Sequence, residues 1–209
     1  RLAKEKEALG FYVSSHPLLA FAEELQLFST ASTDQAGDLP DEAEVSIGGV
    51  VTGLKTQPDR KGQLMSFLTL EDFGGTLEVI CFAEPYKRCA SVLVNDALVL
   101  LSGRINTREW ERPKMILNNA VPLSEVRGGA VLDVHARLSP ELLSGGVLDD
   151  LDGLLGRYDK GNGFLFLYYP VGTETIKIRS NRVRLDAKRE LVAALRELLG
   201  SESVFCTKG

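Results

Sequence analysis

The sequence predicts a mixed fold: a short helical segment, a five-stranded β-barrel and then a small α+β domain. Apolar residues first recur at helical spacing, then alternate along five segments, and then follow both patterns in turn. Since one hydrophobic core usually fills at roughly 100–150 residues, a chain of 209 residues suits two domains. The predicted boundaries are a helical segment at 1–28, an acidic linker at 29–44, the barrel at 45–126 and the last domain at 130–209.

The first segment predicts two short helices with a sharp stop between them. Gly10 suits the end of the first helix, and Pro17 suits the first turn of the second. Ser14 or Ser15 is the candidate cap of the second helix, with His16 extended before the proline. We therefore expect His16 to belong to the cap region rather than to a catalytic site. The small, acidic stretch that follows has almost nothing to bury and predicts a linker.

Residues 45–123 alternate with a period of two and predict the barrel. Three strands come first, a helix is predicted at 84–93, and two further strands follow, the last at 114–123. The first strand is long and carries glycines, as a strand needs when it bends sharply around a barrel. This order of elements is that of an OB-fold, a small five-stranded Greek-key barrel.

The sequence RGGA at 127–130 marks the next boundary. Beyond it the pattern predicts a strand, an interrupted helix, two or three strands and a final amphipathic helix. Asp186 is the predicted cap of that final helix, and Gly200 is its predicted end. Together these elements predict a small α+β domain.

Composition and motifs argue against several classes of function. No apolar run approaches the roughly 20 residues of a membrane helix, and the N-terminal residues lack a secretory pattern, so we expect a cytoplasmic chain. The three cysteines match no zinc or redox spacing and are expected to be reduced, with Cys81 in the core. Asp149, Asp150 and Asp152 diverge on a helix and predict a solvated face rather than a metal site. With no phosphate loop, nucleophile elbow or HExxH helix, we expect no catalytic residue, metal or cofactor in this chain.

Basic residues concentrate on two loops of the predicted barrel, although the formal net charge is -5. These loops join strands one and two and strands four and five, and in OB-folds they flank the ligand-binding face. Trp110 is predicted at the tip of the second loop, where an exposed indole can stack on a base. The candidate nucleic-acid-binding residues are Lys55, Arg60, Lys61, Arg104, Arg108, Trp110, Arg112 and Lys114.

Other interpretations of these residues stay open. The stretch REWER is also typical of a solvated hairpin tip, with Trp110 packed on its own barrel. Phe67 and Phe82 are predicted as core aromatics more than as nucleic-acid contacts. A further group of bases in the last domain allows a second basic patch, a solvated face or a protein interface: Lys177, Arg179, Arg182, Arg184, Lys188 and Arg189.

Residues 5–18, EKEALGFYVSSHPL, resemble the segment that precedes the OB-fold in the alpha subunit of bacterial DNA polymerase III, the C-family replicative polymerase. The resemblance continues through GVVT, MSFLTLEDFGGTLEVICF and VLLSGRI in the barrel. It ends with LRELLGSESV near the end of the chain. The last domain resembles the family more by the order of its elements than by its residues.

The resemblance implies a non-catalytic C-terminal region of a DNA-directed DNA polymerase, a nucleotidyltransferase. The family's palm aspartates and PHP domain lie upstream, and so does its internal clamp-binding motif, so contact with the sliding clamp is expected through that missing part. The OB-fold is expected to bind single-stranded template DNA through the candidate residues, which match the family by loop position only. The last domain is expected to dock the tau subunit of the clamp loader.

Two other functions stay open. In the first alternative, the barrel is a structural or protein-interaction module. This alternative stays open because a fold does not dictate a function. Single-strand binding would then be absent at moderate salt. A free-standing enzyme is the second; the missing catalytic constellation argues against it, and metal-dependent turnover by the pure chain would support it.

Overall fold

The computed structural model describes residues 16–108, 112–128, 130–158, 160–172 and 174–209. The chain divides into two compact units, the first ending at Val126 and the second spanning Arg127–Gly209. The predicted features at Gly10, Ser14 and Ser15 lie outside the described residues, and so does Trp110. No helix of the described ranges is long and apolar enough to cross a membrane.

The first unit begins with two short helical elements. Pro17–Phe21 forms a 3-10 turn with the proline in its first turn, and Ala22–Phe28 forms helix α1. His16 has an extended backbone, and its Nδ1 accepts a hydrogen bond from the Leu18 N–H at 3.2 Å. The extended backbone of His16 is as the sequence predicts, but the cap is His16 itself rather than the predicted Ser14 or Ser15, because its own side chain caps the turn.

Residues 29–44 differ from the linker that the sequence predicts, because part of the segment is packed. Thr33–Gly37 forms a second 3-10 turn in which Thr33 and Ala36 are buried. The backbone N–H and the hydroxyl of Thr33 donate to the Asp72 carboxylate, at 2.8 Å and 2.6 Å. Ala36 joins the barrel core. Residues this small bury little area and produce no apolar period, so the pattern could not reveal this packing.

Five strands close into a barrel in the order β1-β2-β3-β5-β4, which confirms the predicted OB-fold. The helix that the sequence predicts at 84–93 is shorter in the structure, where it spans seven residues as α2. Strands β3 and β5 pair in parallel and the other pairs are antiparallel. The elements are β1 at Glu44–Pro58, β2 at Leu64–Glu71, β3 at Thr76–Cys81, α2 at Ala83–Cys89, β4 at Leu98–Asn106 and β5 at Lys114–Pro122.

Strand β1 is long because it pairs with two strands, β4 and β2, and so closes the barrel. Its first half pairs with β4 and its second half with β2, with a register shift between Val51 and Gly53. A Cβ atom at Gly49 would lie 2.6 Å from the Glu71 carbonyl oxygen, so only glycine allows the two backbones to approach this closely. Gly49 therefore permits the close approach of β1 and β2.

The second unit contains a four-stranded sheet in the order β8-β7-β6-β9, in which β6 and β7 are parallel. This second sheet, with its helices, gives the small α+β unit that the sequence predicts. The elements are β6 at Leu132–Arg137, α3 at Pro140–Ser144, α4 at Val147–Leu155, β7 at Gly163–Val171, β8 at Glu174–Leu185, α5 at Arg189–Leu199, a 3-10 turn at Ser201–Ser203 and β9 at Val204–Lys208.

Three details of this unit differ from the prediction. Strand β9 was not predicted, because it is only five residues long and directly follows a helix and a turn. The stretch NRVRL continues β8 rather than forming a separate strand. Lys188 rather than Asp186 occupies the cap position of α5, and no side chain caps that helix. The Asp186 carboxylate lies 3.4 Å from the Lys188 ammonium instead.

Candidate nucleic-acid interface

One row of side chains crosses all five strands on the outside of the barrel. Lys55 on β1 lies opposite Phe67 on β2, and Phe67 lies opposite Ile80 on β3. Ile80 lies opposite Ile116 on β5, which in turn lies opposite Arg104 on β4. Neighbouring residues along each strand fill the barrel core, so these five face outward. We refer to these five residues as the outer row.

Three residues of the outer row, together with Met65, form a small apolar cluster that is separate from the barrel core. Met65, Ile80 and Ile116 are buried, and half-buried Phe67 packs against them. Beside the cluster lies a groove of about 240 Å³, in the β2–β3 region that OB-folds use for oligonucleotides. Its lining includes Gly53, Lys55, Phe67, Thr69, Glu78 and Ile80.

Both aromatic residues that the sequence predicts as core face outward or are exposed. Phe67 alternates along β2 with the buried Leu68 and Leu70, so its ring lies on the outer surface and lines the groove. Phe82 follows β3 and is 47% exposed. Sequence reasoning undervalued Phe67, although the alternation of MSFLTL contains the signal: Phe67 shares a face with Thr69 while the leucines point inward.

The first group of candidate bases lies at the hairpin between β1 and β2. Lys55 belongs to β1 itself, which extends to Pro58, while Arg60 and Lys61 occupy the turn. Asp59 holds this turn by accepting hydrogen bonds from the Lys61 and Gln63 N–H groups, at 2.7 Å and 2.8 Å. All three bases are exposed, and the described residues place no carboxylate within ion-pair distance of them. Their charge remains available to an anion.

The second group of candidate bases, near β4 and β5, is paired with carboxylates. The Arg104 Nε lies 3.0 Å from the Glu42 carboxylate, and the Arg108 Nε lies 3.2 Å from that of Asp41. Lys114 Nζ lies 2.6 Å from the Glu78 carboxylate. The Arg104–Glu42 pair has both side chains about half exposed, and such a pair contributes only about 0–1 kcal/mol, so a polyanion can compete for Arg104.

The two carboxylates that pair with the arginines come from the segment predicted as an acidic linker. Asp41 is further fixed by the Thr107 N–H, which donates to its carboxylate at 2.9 Å. The Glu42 N–H donates to the Ile105 carbonyl oxygen at 2.7 Å. The end of the acidic segment is therefore held beside the bases of β4. Of the other two candidates, Arg112 is exposed and Trp110 lies outside the described residues.

Nothing in this region is arranged for nucleophilic or metal chemistry among the described residues. They contain no group of three or more His, Cys, Asp or Glu side chains that could hold a metal ion. Cys81, Cys89 and Cys206 are buried, as the sequence predicts for Cys81, and the described residues form no disulfide with them. Burial, and secondarily the neighbouring Cys89, raises the pKa of the Cys81 thiol to about 12. Cys81 is therefore a protonated core residue rather than a nucleophile.

The chain is similar to known proteins at two levels. Residues 45–123 match the family model of the OB-fold nucleic acid binding domain. The DNA polymerase III alpha subunit of Bacillus subtilis is 30% identical over 203 residues, which are 97% of this chain and 18% of that protein. The same subunit of Pseudomonas aeruginosa is 27% identical over 206 residues, or 98% of this chain and 17% of that protein. The chain thus spans less than a fifth of the length of these relatives.

Solved structures match the barrel more weakly. The mitochondrial single-stranded DNA binding protein Rim1 of S. cerevisiae has a TM-score of 0.32 and 14% identity, covering 40% of this chain and 96% of that one. The second single-stranded DNA binding protein of Mycobacterium smegmatis has a TM-score of 0.34 and 15% identity, covering 39% and 86%. Nearly the whole chain is therefore similar to a part of bacterial DNA polymerase III alpha subunits, and its closed barrel is an OB-fold domain.

Proposed function

We propose that this chain is a non-catalytic C-terminal part of a replicative DNA polymerase, in which the OB-fold binds single-stranded template DNA. The observation that carries the proposal is the outer row, where the half-buried Phe67 ring lies opposite the exposed Lys55 on the OB-fold's ligand-binding face. Aromatic rings stack on any base, and cations follow the phosphates. Contacts of this kind tolerate any sequence, as template binding during replication requires.

The two groups of bases have different parts in this proposal. Lys55, Arg60 and Lys61 attract the strand directly, because the described residues leave them without carboxylate partners. The Glu42 and Asp41 carboxylates compete with the phosphates of the strand for Arg104 and Arg108, so these two arginines contribute only in part. Each phosphate contact adds about 0.7 to the slope of log affinity against log salt.

We further propose that the second unit docks the tau subunit of the clamp loader, as the resemblance to the alpha subunit implies. The support in this unit is an exposed apolar patch on one side of the β7–β8 hairpin, where Tyr169 lies opposite Ile176. Contiguous exposed apolar surface is typical of protein contact sites. Its members, Tyr169, Val171, Ile176 and Ile178, are 38–48% exposed.

Docking tau would increase the effective concentration of the polymerase at the replication fork without any new chemistry. Contact with the sliding clamp and the nucleotidyltransferase reaction, in the cytoplasm, would belong to the parts of the polymerase outside this chain.

A second candidate function is a structural or protein-interaction role for the barrel. It is favoured by the ion pairs of Arg104, Arg108 and Lys114, because cations that already have carboxylate partners need no nucleic acid. In that case the chain binds tau but no single strand.

Fluorescence anisotropy of a labelled oligo(dT) strand tests the proposal. Phe67→Leu keeps an apolar side chain but removes the stacking surface, and stacking contributes about 1–3 kcal/mol per base, so affinity should fall roughly tenfold. Lys55→Gln should lower affinity several-fold and reduce the salt slope by about 0.7. Lys87→Gln is the matched control, since Lys87 is an exposed lysine on α2, and it should bind like the unmodified chain.

The result that would overturn the proposal is the absence of binding at low salt, or Phe67→Leu and Lys55→Gln binding as tightly as Lys87→Gln. The protein-interaction role would then be the better account of the barrel.

A further inference from the structure

A second row of interest crosses the sheet of the other unit. Arg179 on β8 lies opposite Phe166 on β7, Phe166 lies opposite His135 on β6, and His135 lies opposite Phe205 on β9. Opposite residues share a face of the sheet. Phe164 and Tyr168 flank Phe166 at alternate positions of β7 and therefore lie on the same face. We call this surface the ring face.

The ring face is the side of the sheet that faces away from the buried core. The intervening residues of β6, Leu132, Val134 and Ala136, are buried on the other side. Helix α5, which buries Leu191 and Leu195, contacts both β6 and β9. Since successive residues of a strand point to opposite sides, the rings lie opposite this core.

Three rings on this face form one rigid stack. The His135 ring lies between those of Phe166 and Phe205, with centroids 4.8 Å and 4.7 Å away and planes within 6° and 7° of parallel. Its two nitrogens lie 3.1 Å from the Tyr168 hydroxyl and 2.9 Å from the Thr207 hydroxyl. Burial, and then the positive charge of Lys177, lower the pKa of His135, which keeps the ring neutral at neutral pH. The stack is thus held on both sides of the His135 ring by hydrogen bonds.

Cations cover the outer rings of the same face. The Lys177 ammonium lies 4.2 Å from the centroid of the Phe166 ring, and the Arg137 guanidinium carbon lies 4.9 Å from that of Phe205. The guanidinium carbons of Arg184 and Arg179 lie 3.5 Å and 4.7 Å from the Phe164 centroid.

These four cations keep their charge for a further partner. An aromatic ring attracts a cation but carries no net charge to neutralise it. All four side chains are exposed, and the described part of the chain shows no ion pair to any of them. The carboxylate of Asp133, at the edge of the face, instead accepts the Phe164 N–H at 2.7 Å. The ring face is therefore strongly positive, whereas the whole chain carries a net charge of -5.

We infer that the ring face is a second surface for single-stranded nucleic acid, separate from the OB-fold. The four exposed cations suit phosphates, and the bases of a single strand stack on guanidinium planes as well as on aromatic rings. A four-stranded sheet that presents aromatic side chains on its open face is one of the common ways in which proteins hold single strands. An acidic peptide satisfies the cations but leaves the rings and guanidinium planes without stacking partners. A single strand uses both features of the face.

The test compares two double variants of the whole chain that change the net charge equally. Lys177→Gln with Arg179→Gln removes two cations of the ring face. Arg157→Gln with Lys160→Gln removes two exposed cations of the same unit that do not lie over these rings. Binding of labelled oligo(dT) is measured by anisotropy over a range of salt concentrations, in the unmodified chain and in a Phe67→Leu background. An abasic strand of equal length and poly-glutamate serve as competitors.

We expect the ring-face variant to lose roughly tenfold in affinity and about 1.4 in salt slope in both backgrounds, because two phosphate contacts disappear. The control variant should change neither value, and the abasic strand and poly-glutamate should compete at least several-fold less well than oligo(dT). Equal binding by the two double variants would overturn the inference. Competition by poly-glutamate as effective as that by oligo(dT) would also overturn it and would assign the face to acidic proteins. Because the Phe67→Leu background removes OB-fold stacking separately, either surface can fail without the other.

Discussion

Removing the charge of Glu42 should strengthen the binding of single-stranded DNA by the OB-fold. Glu42 lies 3.0 Å from Arg104 on the outer row, and its backbone N–H is held by the Ile105 carbonyl oxygen. The carboxylate therefore stays beside the arginine, repels phosphates and occupies a cation that the strand needs. Glu42→Gln keeps the size of the side chain and its left-handed backbone, with φ at 64°, while removing the charge.

The size of the effect can be worked from the exposure of the pair. The side chains of Arg104 and Glu42 are 48% and 52% exposed, so their ion pair contributes at most about 1 kcal/mol to stability. The variant should therefore fold normally. One additional phosphate contact increases the salt slope by about 0.7, which corresponds to about a fivefold gain in affinity at 0.1 M salt relative to 1 M salt.

Anisotropy titrations of oligo(dT) at several salt concentrations measure both quantities. Glu84→Gln is the matched control, because it also removes a carboxylate, one that pairs with Lys87 on α2 at 2.7 Å. Glu42→Gln should bind several-fold more tightly than this control, with the steeper slope. Equal or weaker binding by Glu42→Gln would refute the view that the acidic segment and the strand compete for Arg104.

Three further predictions concern stability and reactivity. The pKa of His135 is lowered below its ordinary 6.5, so the free energy of unfolding of the second unit should be highest above about pH 6.5 and decline as the pH falls through the folded pKa. Denaturant melts of His135→Phe should lack this decline. The same pH profile in the variant and in the unmodified chain would contradict the prediction. Cys81 should resist iodoacetamide at pH 8 in the native chain and react after unfolding, because burial raises its pKa to about 12. Mass spectrometry locates the labelled cysteine, and rapid labelling of Cys81 in the native protein would count against this prediction. Gly103→Ala should lower the stability by at least a few kcal/mol, because a Cβ there would lie 2.1 Å from the Ile116 carbonyl oxygen. Thermal melts measure this loss, and an unchanged melting temperature would be inconsistent with the packing.

The architecture of the barrel could be predicted because its signals are local. Alternation of apolar residues, the glycines of β1 and the turn residues between strands lie within short windows of sequence. The packing of Thr33 on Asp72 and the pairing of Asp41 with Arg108 could not be predicted in this way. Those contacts join residues 39 positions apart in the first case and more than 60 in the second, and they depend on the closed barrel.

The candidate site likewise has features that could be predicted from the sequence and features that could not. The bases on the two hairpin regions could be identified from their positions in the element order. Their division into bases with and without carboxylate partners could not, because it depends on where the acidic segment packs. The alternation along β2 is enough to predict that Phe67 faces outward, but only the cross-strand register places its ring opposite Lys55. The ring face likewise arises from register across four strands, one of which, β9, the sequence did not predict.

Binding of single-stranded DNA on the outer row is tested most directly by titrating the ¹⁵N-labelled chain with oligo(dT) and recording amide chemical shifts. We predict saturable shifts at Lys55, Phe67 and Thr69 along the groove, and an extension to the Arg104 region at low salt. The same spectra should leave the amides of α2 near Lys87 unperturbed. Saturable binding without any shift along β1 and β2 would contradict the proposed role of the OB-fold, as would the absence of shifts anywhere in the barrel at low salt.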